Sequence, residues 1–204
     1  ALTGGPWHAF TPSEQVLGAA MLVIENGPDD IQLVPVSPML TLGEFEGAPP
    51  ASAEMVFAEG SVDVLQVRLG AQLTFGPTST LMVPAAAIEA LAEQVGPITV
   101  ENPDAVVLPT YTGDVVVEYP SGELTLEPSE VVAFLTVPAG LEDGSSRSLR
   151  TAAVWTELLR GLVERGGVDA LTGVEGEGVE EFTDLVERFA ATDVRFDLLP
   201  LVPV

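Results

Sequence analysis

Residues 19–40 read AAMLVIENGPDDIQLVPVSPML, and this stretch decides the fold. Two apolar runs, 21–24 and 31–36, flank a polar turn at 26–30. Short runs that are rich in β-branched residues and bounded by turn formers are typical of strands. Because both runs are apolar almost throughout, without clean alternation, they predict strands that are buried on both faces in the middle of a sheet.

The ends of these two strands are the natural place for a site. The chain puts Ala19, Ala20, Val36, Ser37 and Pro38 there. None of these side chains carries a charge, and tight binding of a phosphate or a metal needs charged or strongly coordinating groups. The sequence therefore predicts no strong phosphate or metal site at this edge.

The composition limits the classes of partner. The chain has 204 residues, 47% of them hydrophobic, and a net charge of −24, which suits one domain with a substantial core. So acidic a surface repels nucleic acid and anionic lipid head groups, and it favours solubility or a cationic protein partner. The absence of Cys excludes disulfides and is compatible with an extracytoplasmic location. No run approaches the roughly 18 apolar residues of a membrane span, so membrane contact is expected only through a segment outside this chain.

The rest of the chain alternates strands and helices. We expect an irregular segment over 1–17 and a single α/β domain over 18–204. Helical periodicity and cap residues predict helices at 62–73 with Ser61 as N-cap, 85–94, 127–135, 147–164 with Ser146 as N-cap, and 178–191. Strands are predicted at 78–83, 97–100, 106–108, 114–119, 124–126 and 193–199, with an edge hairpin joining 114–119 to 124–126. This order predicts an αβα sandwich with a mixed central β-sheet flanked by helices.

The usual catalytic motifs are missing from the sequence. His8 is the only histidine, and its place near the terminus favours a surface residue over a general base. A Lys-containing phosphate loop, His-Glu-x-x-His and Gly-x-Ser-x-Gly are all absent. The motifs therefore predict no catalytic residue.

Three further stretches resemble parts of one family when they are taken in order with residues 19–40. They are LMVPAAAIEALAEQVGPITVENP (81–103), GELTLEPSEVVAFL (122–135) and DGSSRSLRTAAVW (143–155). Together they are similar to the opening strand pair, the strand–helix–strand unit, the short helix and the Arg-led long helix of the LytR-CpsA-Psr family. The resemblance covers nearly the whole chain.

The resemblance implies an extracytoplasmic protein of the cell envelope, tethered by one membrane helix that precedes the domain. Members of the family are thought to transfer glycopolymers from polyprenyl-pyrophosphate carriers to peptidoglycan. It also implies a site in which Arg side chains hold the pyrophosphate and Asp side chains hold a divalent metal. If the chain were active, the expected cofactor would be a divalent metal such as Mg²⁺; otherwise we expect none.

Most of the family's charged positions are replaced in this chain. Uncharged residues stand at five of them: Ala19, Val36, Ser37, Thr136 and Pro138. Asp143 lies beside the position of another family Asp and is the candidate metal ligand.

Arg147 and Arg150 match the two Arg that open the long helix, so they are candidate anion-binding residues, with Arg68 as a third. The alternative is that Arg147 and Arg150 are exposed residues paired with Glu142 or Asp143, and that Arg68 faces solvent near Asp63.

Three functions follow as hypotheses. The leading one is a non-catalytic binding or scaffolding module for a polyprenyl lipid or a cell-wall glycopolymer, with no catalytic residue. The second is an active phosphotransferase that uses Arg147, Arg150, Arg68 and Asp143. The third is an acidic interaction domain that recruits a cationic protein.

Overall fold

The computed structural model describes residues 2–3, 15–16, 20–27, 30–73, 83–109, 115–137, 144–165, 171, 174, 179–192 and 194–196. Eleven strands and five helices lie within them. The strands are β1 (Leu2–Thr3), β2 (Gln15–Val16), β3 (Ala20–Gly27), β4 (Asp30–Val36), β5 (Thr41–Leu42), β6 (Ala51–Ser52), β7 (Ile98–Asn102), β8 (Val106–Pro109), β9 (Val115–Tyr119), β10 (Gly122–Leu126) and β11 (Val194–Phe196). The helices are α1 (Ala53–Leu73), α2 (Ala85–Val95), α3 (Pro128–Thr136), α4 (Gly144–Arg165) and α5 (Val179–Ala191).

The opening stretch forms the centre of a mixed sheet. Strand β4 pairs antiparallel with β3 and parallel with β11, so it is the middle strand of three. The register sets Ala20 opposite Val36, which brings the start of β3 beside the end of β4. The predicted central strands are therefore confirmed.

Strand β4 is buried on both faces. Ile31 and Leu33 belong to one apolar cluster with residues of α2, α4 and α5, and Val34 and Val36 belong to a second cluster with residues of α1. Successive side chains of a strand point to opposite faces, so helices cover both sides of β4. This arrangement confirms the predicted αβα sandwich with a mixed sheet.

A second ladder corrects the predicted edge hairpin. Strand β10 pairs antiparallel with β7, and β9 pairs with β8, so the expected hairpin between β9 and β10 is wrong. Leu124 lies opposite Val100 and Leu126 lies opposite Ile98. The apolar alternation of β10 matches that of β7, and this match outweighs the proximity of β9 in the sequence.

Helix α1 begins earlier than predicted. It starts at Ala53, and the Ser52 hydroxyl accepts a hydrogen bond from the Met55 N–H at 3.2 Å. Ser52 is therefore the N-cap, and the prediction of Ser61 is wrong. The helix continues through residue 61 because apolar residues on both sides of it, including Phe57 and Leu65, pack into the same cluster.

The ends of α2 and the start of α3 agree with the sequence-based prediction. Helix α2 follows Pro84 and ends at Gly96, whose φ of 84° is easy only for glycine and whose N–H donates to the Ala92 carbonyl. A capping box joins Glu127 to Glu130 at the start of α3. These ends fix both helices against the sheet.

The N-terminal segment contains more order than predicted. Strands β1 and β2 pair antiparallel, and β2 contacts α1, so the prediction of an irregular segment is wrong at these four residues. The predicted strand at 78–83 lies outside the described residues except for Val83, which is not in a strand. His8 also lies outside them.

Candidate functional site

Two arginines lie buried at the start of α4. Arg147 is in its first turn and Arg150 one turn later, and their exposed fractions are 3% and 1%. Residues three apart share a helix face, so the two guanidinium groups belong to the same buried side. The alternative that these are exposed residues is therefore wrong. The carboxylates named as their partners lie outside the described residues.

The buried face of α4 changes character along its length. It begins with Arg147, Arg150 and Thr151 and continues with Val154 and other apolar side chains. Those further residues are Trp155, Leu158, Leu159 and Leu162. The buried face of α4 is therefore cationic near its N-terminus, and the rest of it packs into the apolar cluster that contains Ile31 and Leu33.

The electrostatics of this end of α4 favour an anion. The backbone N–H groups at a helix N-terminus carry a partial positive charge, and the first turn of α4 contains no acidic residue. Two guanidinium groups add positive charge where cations are normally unfavourable, and removing each from water costs several kcal/mol. An anion is stabilised at such a helix end.

Arg150 contacts an aromatic pair. Its Cζ lies 5.2 Å from the centre of the Phe134 ring, and the Phe134 ring lies 4.8 Å from that of Tyr119 with the planes at 77°. Burial, followed by the charges of Glu118 and Glu130, raises the pKa of the Tyr119 phenol above its ordinary value of 10.0, while Arg150 acts to lower that pKa. Tyr119 is therefore neutral at physiological pH and lies within electrostatic range of Arg150.

Polar contacts fix the start of α4 beside the end of β7. The Ser146 hydroxyl donates to the Asp104 carboxylate, so Ser146 lies inside the helix and its predicted role as N-cap is wrong. The buried Asn102 side-chain amide donates to the Pro120 carbonyl at 2.7 Å. The end of β7, the turn after β9 and the start of α4 are thereby held together.

The other end of α4 is fixed against α2. The Arg165 guanidinium donates to the Val95 carbonyl at the end of α2. A Cβ atom at Gly161 would overlap a methyl group of Val95, so only glycine permits this approach. With both ends held, Arg147 and Arg150 project from a rigid element.

Arg68 serves a different purpose. Its Nη2 donates to the carbonyls of Leu42, Gly43 and Pro49 at 3.3, 2.6 and 2.9 Å, and the side chain is 7% exposed. The interpretation of Arg68 as solvent-facing is therefore wrong. Its guanidinium holds the hairpin between β5 and β6 against α1, whose apolar residues form the cluster on the opposite face of β4 from α4.

The described residues that were predicted to replace charged family residues are uncharged, and two of them make local hydrogen bonds. Val36 and Ser37 are buried at the end of β4, and the Ser37 hydroxyl accepts from the Met39 N–H at 3.2 Å. The Thr136 hydroxyl donates to the Val132 carbonyl at 2.8 Å in the last turn of α3. Ala19 and Pro138 lie outside the described residues.

Within the described ranges, no three or more His, Cys, Asp or Glu side chains lie together so as to hold a metal ion. Asp143, the predicted ligand, lies outside those ranges.

Sequence reasoning missed Phe134 and Tyr119 at this site. Helical spacing marks Phe134 as a core residue of α3, and Tyr119 ends a strand. No local signal links either residue to Arg150, because the contact arises only where α3, α4 and β9 meet. The one available hint was two Arg on the face of α4 that is otherwise apolar.

Comparison with known proteins gives a result at the level of structure. No protein-family model and no curated protein sequence matches this chain. Protein gbs0355 from Streptococcus agalactiae is similar in structure, with a TM-score of 0.62 at 13% identity over 97% of this chain and 75% of that one. TagV from B. subtilis has a TM-score of 0.59 at 12% identity over 93% of this chain and 79% of its own.

A third similar structure comes from a protein whose family and ligand are known. The LytR-CPS2A-psr family protein YwtF (TagT), with bound octaprenyl pyrophosphate lipid, has a TM-score of 0.55 at 14% identity over 89% of this chain and 71% of its own. TagT is also known bound to LI-WTA. No helix in the described part of this chain is long and apolar enough to cross a membrane. The chain therefore has the fold of the LytR-CpsA-Psr proteins.

Proposed function

We propose that this domain is a binding module of the cell envelope that holds the headgroup of a polyprenyl pyrophosphate with Arg147 and Arg150 and does not transfer the attached polymer. The observation that carries the proposal is the pair of buried arginines on one face of α4 near its N-terminus. We place the domain outside the cytoplasm, tethered through a segment outside this chain.

The chemistry of the headgroup supports this assignment. A pyrophosphate concentrates several negative charges within a few ångströms and is bound best by guanidinium groups, which donate two parallel hydrogen bonds. Arg147 and Arg150 add two such groups to the positive end of a helix. The shared fold with TagT, which binds such a lipid, supports the same ligand class.

The argument for binding without transfer rests on the replaced positions. Phosphoryl transfer depends almost wholly on positioning and on neutralising the charge of the transition state. Losing one such donor lowers a rate roughly 10²- to 10³-fold. Val36, Ser37 and Thr136 offer no charge at positions where the family has charged groups. Binding tolerates this loss better than catalysis, because two guanidinium groups remain.

The first test measures binding. Each charge-assisted hydrogen bond contributes about 1.5–3 kcal/mol, so Arg147→Gln and Arg150→Gln should each weaken polyprenyl pyrophosphate binding roughly tenfold to a hundredfold. The matched control is Arg160→Gln on the same helix. The Arg160 side chain is 63% exposed and forms an ion pair with Glu157 in the preceding turn. We expect this control to bind like the wild type.

The binding assay uses lipid in neutral detergent, with affinity measured at low and moderate salt. The net charge of −24 opposes approach of an anion over long distances, and salt screens that repulsion more than a buried contact. Equal affinities of wild type and both variants, or no binding by the wild type, would refute the proposal.

The second test measures turnover. Purified protein, a glycopolymer on a polyprenyl pyrophosphate carrier, peptidoglycan and Mg²⁺ are incubated, and released polyprenyl phosphate is quantified. We expect no release above the protein-free control. Release that requires both Mg²⁺ and Arg150 would show that the domain is a transferase and not a binding module.

A further inference from the structure

Helix α1 has apolar side chains on part of its outer face. Val64 and Val67 are 41% and 52% exposed, and Ala71 is also exposed. Helix residues that are three and four apart lie on one face, so these three form a row about 10 Å long, called here the α1 stripe. Strand β2 contacts α1 and still leaves the α1 stripe exposed.

The outer face of α5 shows the usual alternative. Its exposed residues include Glu180, Glu181, Asp184 and Glu187, which are all charged. Both helices bury their inner faces in apolar clusters, so the demands of the core do not explain why the outer face of α1 is apolar as well. Exposed apolar rows with polar borders are typical of surfaces that bind another protein.

Two features border the α1 stripe, one on each side. Asp63 is exposed and lies next to the stripe on the helix surface. On the opposite side, Arg68 and Gln72 form the neighbouring row, and the hairpin between β5 and β6 packs along it. The Arg68 guanidinium donates to three carbonyls of that hairpin, and the Gln72 side-chain oxygen accepts from the Gly43 N–H at 3.3 Å.

The hairpin carries two more carboxylates. Glu44 and Glu46 are both exposed. Phe45 and Ala48 exchange backbone hydrogen bonds of 3.2 and 2.8 Å, which close a two-residue turn whose φ values are 49° at Glu46 and 86° at Gly47. With its tip closed and its base bound by Arg68, the hairpin holds these carboxylates on one side of the α1 stripe.

No nearby basic residue in the sequence neutralises these acids. Arg68 is the only Lys or Arg in the first 146 residues, and its guanidinium is turned to backbone carbonyls. The other six Arg belong to α4, α5 and β11, and α4 and α5 pack on the other face of β4. The surroundings of the α1 stripe are therefore acidic, and they are complementary to positive charge.

We propose that the α1 stripe docks a cationic amphipathic helix of a partner protein. The apolar face of that helix covers the stripe, and its Lys or Arg side chains reach Asp63 on one side and Glu44 and Glu46 on the other. This inference goes beyond the proposed function and does not rest on it, because Arg147 and Arg150 belong to the helix on the other face of β4.

The test uses the full chain and a defined probe. The probe is a fluorescent helical peptide of Leu and Lys with all Leu on one face, and its control has the same composition in an order that scatters Leu around the helix. We expect the amphipathic peptide to bind about tenfold more tightly than its control, because only the former can cover the α1 stripe. We also expect its affinity to fall as salt is added.

One pair of variants tests the apolar contact. Val64→Ser combined with Val67→Ser should weaken binding of the amphipathic peptide about fivefold to thirtyfold, because less apolar surface is removed from water. The matched control is Val163→Ser on the exposed face of α4, where Val163 is 54% exposed. We expect this control to bind the peptide like the wild type.

A second pair of variants separates the local acids from the net charge. Each variant neutralises three exposed carboxylates. The changes beside the α1 stripe are Glu44→Gln, Glu46→Gln and Asp63→Asn, and those on α5 are Glu180→Gln, Glu181→Gln and Asp184→Asn. We expect only the first set to weaken binding, about fivefold, and to flatten its salt dependence. Equal weakening by both sets would mean that the peptide is held by overall charge, which overturns the proposal.

Other outcomes also decide against the proposal. Equal binding of the two peptides, no binding of either, or full affinity in the double Val variant overturns it. Sedimentation of the wild type without peptide tests a second copy as the occupant, since a dimer that the double Val variant dissociates would assign the α1 stripe to self-association. Methyl NMR of the wild type needs no variant: the peptide should shift the signals of Val64 and Val67 and leave that of Val163 in place, and the reverse pattern refutes docking here.

Discussion

Two regions of this molecule bury arginine, and they use it in opposite ways. On one side of β4, Arg68 directs its guanidinium at three backbone carbonyls of the hairpin between β5 and β6. On the other side, Arg150 rests on the face of an aromatic ring beside Arg147. The first arrangement satisfies main-chain acceptors and holds a loop. The second places a guanidinium against an aromatic ring, on the same helix face as a second arginine.

The difference shows that the contact partners of a buried arginine, and not its burial, indicate its role. Carbonyl oxygens are fixed parts of the fold, and their hydrogen bonds contribute to stability. Two guanidinium groups on one helix face near its N-terminus add positive charge where an anion is stabilised. We therefore expect substitutions on the two sides of β4 to separate stability from binding.

The largest effect is expected for Arg68→Met. Three buried or partly buried carbonyls lose their donor, an Nη2 group with two hydrogens, so at about 1 kcal/mol for each N–H the unfolding free energy should fall by about 2 kcal/mol. Urea unfolding measures the loss. Binding of polyprenyl pyrophosphate at a temperature where the variant stays folded should equal that of the wild type. If Arg68→Met lost binding but kept the stability of the wild type, the two regions would not differ in the way described.

A smaller change in stability is expected for Arg150→Met. The substitution removes the stacking on Phe134 together with the other interactions of Arg150, but it also relieves the desolvation of the guanidinium, so the unfolding free energy should fall by less than in Arg68→Met. The same urea unfolding experiment measures it, and Arg160→Met on the exposed face of α4 is the control. A loss as large as that of Arg68→Met would mean that Arg150 is also a structural residue.

The smallest effect is a shift in the titration of Tyr119. Arg150 acts to lower its pKa, so Arg150→Met should raise that pKa further above 10.0, and Arg68→Met should leave it unchanged. Tyrosinate absorbance follows the titration in a Tyr111→Phe background, which leaves Tyr119 as the only tyrosine. An equal shift of the Tyr119 pKa in both variants would show that Arg150 has no greater effect on Tyr119 than Arg68 has.

The same pKa shift has a consequence for stability. A tyrosine with a raised pKa keeps its proton in the folded protein at a pH where the unfolded chain has lost it. Its contribution is fully present below pH 10.0 and is lost as the pH rises through the higher folded value. The slope of unfolding free energy against pH should therefore be shallower above pH 10.0 in Tyr119→Phe than in the wild type.

The sequence predicted the elements whose signals are local. Strands β3 and β4 follow from two short apolar runs around a turn, and α2 follows from Pro84, its apolar spacing and Gly96. The fold family followed from the order of several such stretches. These features depend on side-chain periodicity and backbone preference, which the sequence displays directly.

Features that depend on distant contacts were not predictable. Ser61 and Ser146 both look like N-caps, but both lie inside helices. Apolar residues on each side of Ser61 pack into one cluster, and the Ser146 hydroxyl donates to the Asp104 carboxylate. The partner of β10 was misassigned because pairing depends on matching apolar faces across the sheet. The burial of Arg68 and the stacking of Arg150 likewise come from elements far apart in the chain.

Strand β4 links the two sides that the arginines occupy. One seven-residue strand supplies side chains to both apolar clusters, so it is a common wall between them. Loss of that wall would expose both interiors to water at once, and the two halves therefore share one cooperative transition. Because both clusters share β4, the hydrogen bonds of Arg68 also help to keep Arg147 and Arg150 buried on the other side of the sheet.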